Sequence, residues 1–242
     1  MDNLFPATPQ HAVEKLSLTG NTTREPIDFL DLVGHELKQP LTAARGCLGL
    51  LLERGDRIDE PTRISLLETS IRNLDQLSAL IGSLRLFSDT DQGRLHPTVK
   101  LVSVEELFND AVEDFPDART ERKLIADCAP GLQIRVDQDL FKQVLANLLS
   151  NAVKFGPPGS VITLEAHSSN GDVIITVKDE GDGFAEKDNE RMFDKSVQLT
   201  KGGKGLGLGL FVAREIVEAH RGQISAASES GEGAAFAVSI PA

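Results

Sequence analysis

Three sets of residues are typed and spaced for joint chemistry. The first is His35 with Glu36 beside it and Pro40 close behind. Histidine is a nucleophile with a free ring nitrogen near neutral pH, and an adjacent carboxylate can fix its tautomer and raise its basicity. Pro40 inside a helical run removes the amide that would bond the Glu36 carbonyl, so a bend is expected next to the reacting group. The second set is the glycine run Gly202-Gly203-Lys204-Gly205-Leu206-Gly207-Leu208-Gly209-Leu210, directly ahead of a predicted helix. Such a stretch lets backbone approach a ligand and offers amides to phosphate oxygens, yet alone it fits a flexible loop equally well. It lacks the GxxxxGK[ST] of a P-loop, and no strand precedes it as a dinucleotide fingerprint requires. The third set is Asn147, Asn151 and Lys154 on one helix face, with Asp179 ending a predicted strand in Asp179-Glu-Gly181-Asp-Gly183. A carboxylate there can accept a hydrogen bond from an exocyclic amine, although the turn alone reads as an ordinary strand end. Val144, Leu145, Leu148, Leu149 and Val153 account for the buried face of that helix and leave the asparagines unexplained by packing.

These groups need elements to position them. Thr22 and Thr23 as caps, Glu25 and Pro26 open a helix expected to reach about Arg54, where Gly55-Asp56 breaks it. Within it Ile27, Leu30, Gly34, Leu37, Leu41, Ala44, Leu48 and Leu51 alternate at three and four residues, the spacing of a bundle seam. A second helix over about 59–88 carries Ile64, Leu67, Ile71, Leu74, Leu77, Ile81 and Leu84 on one face. Two helices cannot enclose a core alone, so a homodimer through residues 25–90, forming a four-helix bundle, is expected. Asp89 to Pro97 has linker composition. Beyond it come a capping box at Ser103–Glu106, short strands near 122–127 and 132–136, a helix capped by Asp137, and a hairpin turning at Asn170-Gly171. A helix at about 206–221 and a hairpin of Gln223–Ser228 with Ala234–Ile240 around Gly231-Glu232-Gly233 complete the chain. The expected organisation is a flexible arm at 1–24, a helical hairpin at 25–92 and an α/β sandwich at 98–242 with one mixed sheet, an α+β protein overall.

The 242 residues are 40% apolar, enough for a buried core, and the net charge of −12 argues against nucleic acid or an anionic membrane as the main partner. Cys47 and Cys128 form neither a CxxC nor a Cys/His cluster, so no zinc site or disulfide framework is implied and a reducing cytoplasm fits. No apolar run approaches the roughly 20 residues that span a bilayer, and no signal peptide opens the chain. A soluble, cytoplasmic chain is expected. His11, His96, His167 and His220 have no company like that of His35 and read as surface or packing residues.

In order and spacing, these motifs resemble the ATP-binding domain of the gyrase, Hsp90, histidine-kinase and MutL superfamily. NLLSNAVKF is similar to its N box, DEGDGF to its G1 box, RMFDKS to its F box and GGKGLGLGL to its G2 box. The resemblance implies ATP and Mg²⁺ as cofactors. By it Asn151 would hold Mg²⁺, Asn147 would line the same site, and Lys154 would meet phosphate. Asp179 would read the adenine amine within a pocket shaped by Gly181 and Gly183. Gly203, Gly205, Gly207 and Gly209, with Leu206 and Leu208 between them, would wrap the triphosphate, and Phe193 would anchor a mobile lid. Lys195, and beside it Gln198, Lys201 and Lys204, are candidates for contacts from lid to phosphate.

The stretch from Phe29 to Ala43 around His35-Glu36 and Pro40 resembles the phospho-acceptor box of two-component sensor histidine kinases. That family phosphorylates its own histidine from ATP and passes the phosphoryl group to an aspartate of a response-regulator receiver domain. His35 would be the acceptor and Glu36 its base. Where many relatives carry Thr or Asn to orient the water that dephosphorylates the receiver, this chain has Gln39, which implies weak phosphatase activity. An ATPase or nucleotide switch of the same superfamily, without phosphotransfer, is the alternative; a scaffold with a dead site conflicts with the intact Asn147, Asn151, Asp179 and glycines.

Overall fold

The computed structural model describes residues 26–113, 122–195, 197, 206–228 and 231–241. The arm expected at 1–24, and Gln198, Lys201, Gly203, Lys204 and Gly205, lie outside the described residues.

Helix α1 spans Pro26–Arg54 and continues through Pro40, whose ring is buried. A single helical turn at Gly55–Arg57 follows, with Gly55 at φ +37°, a conformation that side chains with a Cβ rarely adopt. Helix α2 spans Glu60–Asp91 and packs along α1, three residues longer at its end than expected. One chain buries Ala44 and Ser70 between the two helices but leaves Leu41, Leu48, Ile64, Leu67, Ile71, Leu74 and Ile81 exposed. The seam legible in the sequence is therefore an open apolar face. A groove runs along it, lined by Leu41, Ala44, Leu48, Leu52 and Leu74.

The last turns of α2 run onto the second layer. Phe87, only 8% exposed, packs its ring 5.7 Å from that of Phe211, on the helix that follows the glycine run. From there the chain forms β1 (Lys100–Ser103), α3 (Val104–Glu113), β2 (Lys123–Cys128), β3 (Gln133–Val136), α4 (Gln138–Phe155), β4 (Val161–Ser169) and β5 (Asp172–Asp179). It ends with α5 (Gly209–Ala219), β6 (Gln223–Ser228) and β7 (Ala234–Pro241). The main sheet has the order β2-β4-β5-β7-β6, with β2 parallel to β4 and the other pairs antiparallel. The mixed sheet is as expected, but β3 does not join it. It pairs with β1, a strand not anticipated, in a separate two-stranded sheet. Four residues are too few to carry a period, and their partner lies a whole helix away in sequence.

Alternation decides which face the helices cover. Ile162, Leu164 and Ala166 of β4, with Val173, Ile175 and Val177 of β5, are buried. Against them lie Phe141, Val144, Leu145, Leu148, Leu149 and Ala152 of α4, together with Val212, Ala213, Ile216 and Val217 of α5. Asn170 and Gly171 take φ +53° and +88°, the left-handed pair of a tight hairpin turn. Ser103 Oγ accepts from the Glu106 amide at 3.4 Å, and Asp137 Oδ1 accepts from the Leu140 amide at 3.3 Å, so both predicted caps are formed.

Candidate active site

Helix α4 presents its polar edge to the start of α5. Asn147 is half-buried there: its Nδ2 donates to the Gly209 carbonyl at 3.0 Å, and its Oδ1 accepts from Gln143 Nε2 at 3.3 Å. The amide that packing left unexplained thus pins Gly209, the last glycine of the run, to α4. Asn151 lies one turn further on, also half-buried, and Lys154 is exposed with its Nζ 4.8 Å from the Phe155 ring centre. Helix α5 begins at Gly209, not at the expected 206, because Gly207 at φ +66° holds the chain out of helical geometry. Leu206 and Leu208 turn into the core and are almost fully buried.

The same two helices are tied at their far ends. Buried His220 donates from Nδ1 to the Ile216 carbonyl at 2.7 Å and accepts at Nε2 from the Asp137 amide at 2.9 Å. With one nitrogen donating and the other accepting from backbone, the ring is neutral and its tautomer is set. Asp137 Oδ2 also accepts from the Thr98 amide at 2.7 Å, joining the linker to this knot. His220 is the packing residue that the sequence suggested.

Asp179 closes β5 and is 8% exposed. Burial pushes its carboxyl above the usual carboxylate range, while hydrogen bonds from the Gly181 and Ala234 amides oppose that rise. The Gly181 amide reaches Oδ1 at 2.9 Å. A Cβ on Gly181 would stand 2.6 Å from the Phe155 carbonyl oxygen and 2.8 Å from Asp179 Oδ1, so the position admits glycine alone without a backbone shift. Gly183 takes φ +67°, and the loop is then fastened to the turn between β6 and β7. The Phe184 amide donates to Ser228 Oγ at 2.9 Å, that hydroxyl donates to the Gly233 carbonyl at 2.6 Å, and the Gly231 amide donates to the Asp182 carbonyl at 2.8 Å. Gly233, at φ +86°, lies so close to the Asp179 carbonyl that no side chain fits between them. Phe155, Ser228, Gly233 and Ala234 escaped the sequence reading as parts of this pocket; only the doubled glycine at 231 and 233 hinted at a close approach.

Phe193 is buried edge-on against Phe236, with ring centres 6.5 Å apart, and so fixes the root of the segment expected to act as a lid. Beside it Asp194 faces Arg214 of α5 at 3.7 Å. Lys195 sets its Nζ 4.4 Å from the ring centre of Phe87 on α2. Its amine is thus at the junction with the hairpin. His35 is exposed on α1, with Gln39 Nε2 3.3 Å from its Nδ1.

Two family models match along the chain: residues 27–93 match the His Kinase A (phospho-acceptor) domain, and residues 136–242 match the histidine kinase-, DNA gyrase B- and HSP90-like ATPase. The sensor-like histidine kinase SenX3 of Mycolicibacterium smegmatis is 30% identical over 88% of this chain and 57% of its own length. The chain belongs to the two-component sensor histidine kinases. Among solved structures, full-length ShkA in complex with AMPPNP is 25% identical, with a TM-score of 0.63 over 89% of this chain and 46% of that one. ThkA in complex with the response regulator TrrA, at 21% identity and a TM-score of 0.61, covers 88% of this chain and 61% of that one and shares the fold. The chain spans only 24% to 57% of the length of the first curated relatives. The phospho-acceptor model thus takes in α1 and α2, and the ATPase model runs from α4 to β7. Among the described residues no helix is long and apolar enough to cross a membrane.

Proposed function

We propose that this chain is an ATP-dependent protein histidine kinase acting in the cytoplasm, where ATP is available. It phosphorylates itself on His35 and passes the phosphoryl group to an aspartate of a response-regulator receiver domain. The observation that carries the reading is the pocket at Asp179: a buried carboxylate, held by two backbone amides, in a loop zipped to a neighbouring turn. It joins in one chain with an exposed histidine on a helical hairpin. Asp179 accepts a hydrogen bond from the adenine amine, and the amides around Gly207 and Gly209 meet the phosphates. The Asn151 carbonyl is a neutral, hard oxygen donor on the edge of α4, a fit for Mg²⁺, whose charge is met mainly by phosphate; the ion would supply charge neutralisation. Lys154 adds a mobile cation at that edge, and Glu36 supports the nucleophile. Gly203, Gly205 and Lys195 contribute to closing over the triphosphate, with Lys195 leaving Phe87 to do so.

Transfer is in line, with the chain contributing position and electrostatics more than covalent chemistry. The exposed seam of α1 and α2 is covered by a second copy of the chain, and a receiver domain then meets His35 on the assembled bundle. Gln39 stands where the hydrolytic water for the receiver is oriented, and its extra length makes phosphatase activity weak. The test is incubation with γ-labelled ATP and Mg²⁺. Label that survives alkali but not acid, and is absent from His35→Ala while ATP still binds, supports the reading. Label retained on His35→Ala refutes it.

A further inference from the structure

We propose that Ser228 is a positioning residue whose hydroxyl holds the Asp179 carboxyl in place for an exocyclic amine, and so sets a preference for adenine over guanine. The proposal rests on Asp179 as the residue that meets the base. Ser228, Ala234 and Asp179 form a row across β6, β7 and β5: Ser228 pairs with Ala234, and Ala234 with Asp179. Residues paired in register project from one face of a sheet, so the hydroxyl and the carboxyl stand on either side of the small Ala234 side chain.

The bonds around the hydroxyl have a fixed direction. Ser228 Oγ accepts from the Phe184 amide at 2.9 Å and donates to the Gly233 carbonyl at 2.6 Å. A backbone amide only donates and a carbonyl only accepts, so the two roles do not exchange. The Gly233 carbonyl belongs to the same peptide as the Ala234 amide, and in a trans peptide the two point in opposite directions. That amide bonds the Asp179 carboxyl. The Phe184 amide, the Ser228 hydroxyl and the Gly233–Ala234 peptide therefore make one directed chain that ends on Asp179, and each bond in such a chain polarises the next. The chain is also a mechanical tie. Phe184 lies at the end of the loop that leaves Asp179, while Gly233 sits against the Asp179 carbonyl with no room for a side chain. One hydroxyl thus joins the loop that follows the carboxyl to the peptide that bonds it.

A carboxylate held in this way accepts from the amine of adenine, whereas guanine presents a carbonyl at the corresponding edge and is repelled. Loosening the carboxyl should therefore weaken ATP and spare GTP, whose binding rests on its phosphates. The loop itself stays attached without the hydroxyl, because the Phe184 ring lies 6.2 Å from that of Phe236 and the Gly231 amide bonds the Asp182 carbonyl. Thr and Val have nearly the same shape and only Thr keeps the hydroxyl, so the comparison is Ser228→Thr with Ser228→Val. Titration calorimetry of the full chain should give a wild-type Kd for ATP in Ser228→Thr and about a tenfold rise in Ser228→Val, with Kd for GTP changed by less than about twofold. The Ala234 amide proton, followed by NMR without nucleotide, should move upfield in Ser228→Val and stay near its wild-type position in Ser228→Thr. Should Ser228→Val not fold, Ser228→Ala against wild type reads the same quantities. Equal ATP affinity in Ser228→Thr and Ser228→Val overturns the proposal, and so does an Ala234 amide unmoved by loss of the hydroxyl. An equal loss for ATP and GTP overturns it as well, since Ser228 would then be a general strut of the domain. If wild type does not prefer ATP to GTP, the reading of Asp179 fails and the adenine preference with it, while the amide shift, which needs no nucleotide, still judges the tie from Ser228 to the Ala234 peptide.

Discussion

Replacing Gly181 by alanine places a methyl group where the structure has none to spare. The added carbon would stand 2.6 Å from the Phe155 carbonyl oxygen and 2.8 Å from Asp179 Oδ1, both far inside contact distance. The first obstacle is backbone at the end of α4, which moves only with the helix; the second is the carboxylate proposed above to read the nucleotide. Overpacking of this kind costs about 1–3 kcal/mol. Losing the 2.9 Å hydrogen bond from the Gly181 amide to that carboxylate adds about 1.5–3 kcal/mol. Since some of the strain is relieved when the bond breaks, a net loss of about 2–4 kcal/mol is expected, which lowers Tm by on the order of 10 °C in a domain of this size. Displacing Asp179 by a few tenths of an ångström also costs much of its bond to the adenine amine, so Kd for ATP should rise about 10- to 100-fold. Circular dichroism melts give the first quantity and titration calorimetry with ATP the second. Gly46→Ala is the control: it lies in α1 with open space around it, where alanine favours helix by about 0.8–1.0 kcal/mol. A Gly181→Ala protein with wild-type Tm and wild-type Kd would refute the packing argument and the placement of the pocket together.

Asp179→Asn separates folding from binding. Burial holds the carboxyl above its ordinary value, so its favourable contribution is complete below the unfolded value and is lost as pH rises through the folded one. The amide variant, which still offers an oxygen to the Gly181 and Ala234 amides, should be at least as stable as wild type at pH 7. Its relative advantage should shrink as pH falls toward 4, while its Kd for ATP rises more than 10-fold; denaturant melts across pH that show the variant weaker at pH 7 would contradict this. Ile71 is 58% exposed in one chain, on the open face of α2. Ile71→Glu should convert the full chain from dimer to monomer in sedimentation velocity, and a wild-type protein that sediments as a monomer would remove the dimer.

The helical hairpin was legible because its period repeats over many turns, and its boundaries at Pro26, Gly55 and Asp59 carry local chemistry that needs no distant partner. The caps at Ser103 and Asp137 and the Asn170-Gly171 turn were legible for the same reason. Asn147 and Asn151 stood out as residues that packing did not explain, His35 by the company of Glu36 and Pro40, and Asp179 by its place beside Gly181 and Gly183 in the resemblance. What they touch was another matter. That Asn147 clamps the Gly209 carbonyl, that Phe155 and Gly233 press on Gly181 and Asp179, and that His220 knots α4 to α5 depend on contacts between segments far apart in sequence. So does the pairing of β1 with β3, and so does Phe87, read as part of a hairpin yet buried against Phe211 with Lys195 on its ring. Periodicity and capping are set by neighbours along the chain, within a turn or two, so residue order determines them. Close approach of backbone to backbone, and the burial that shifts a carboxyl, exist only once the sheet and its helices have closed, and for those the tertiary structure alone was decisive.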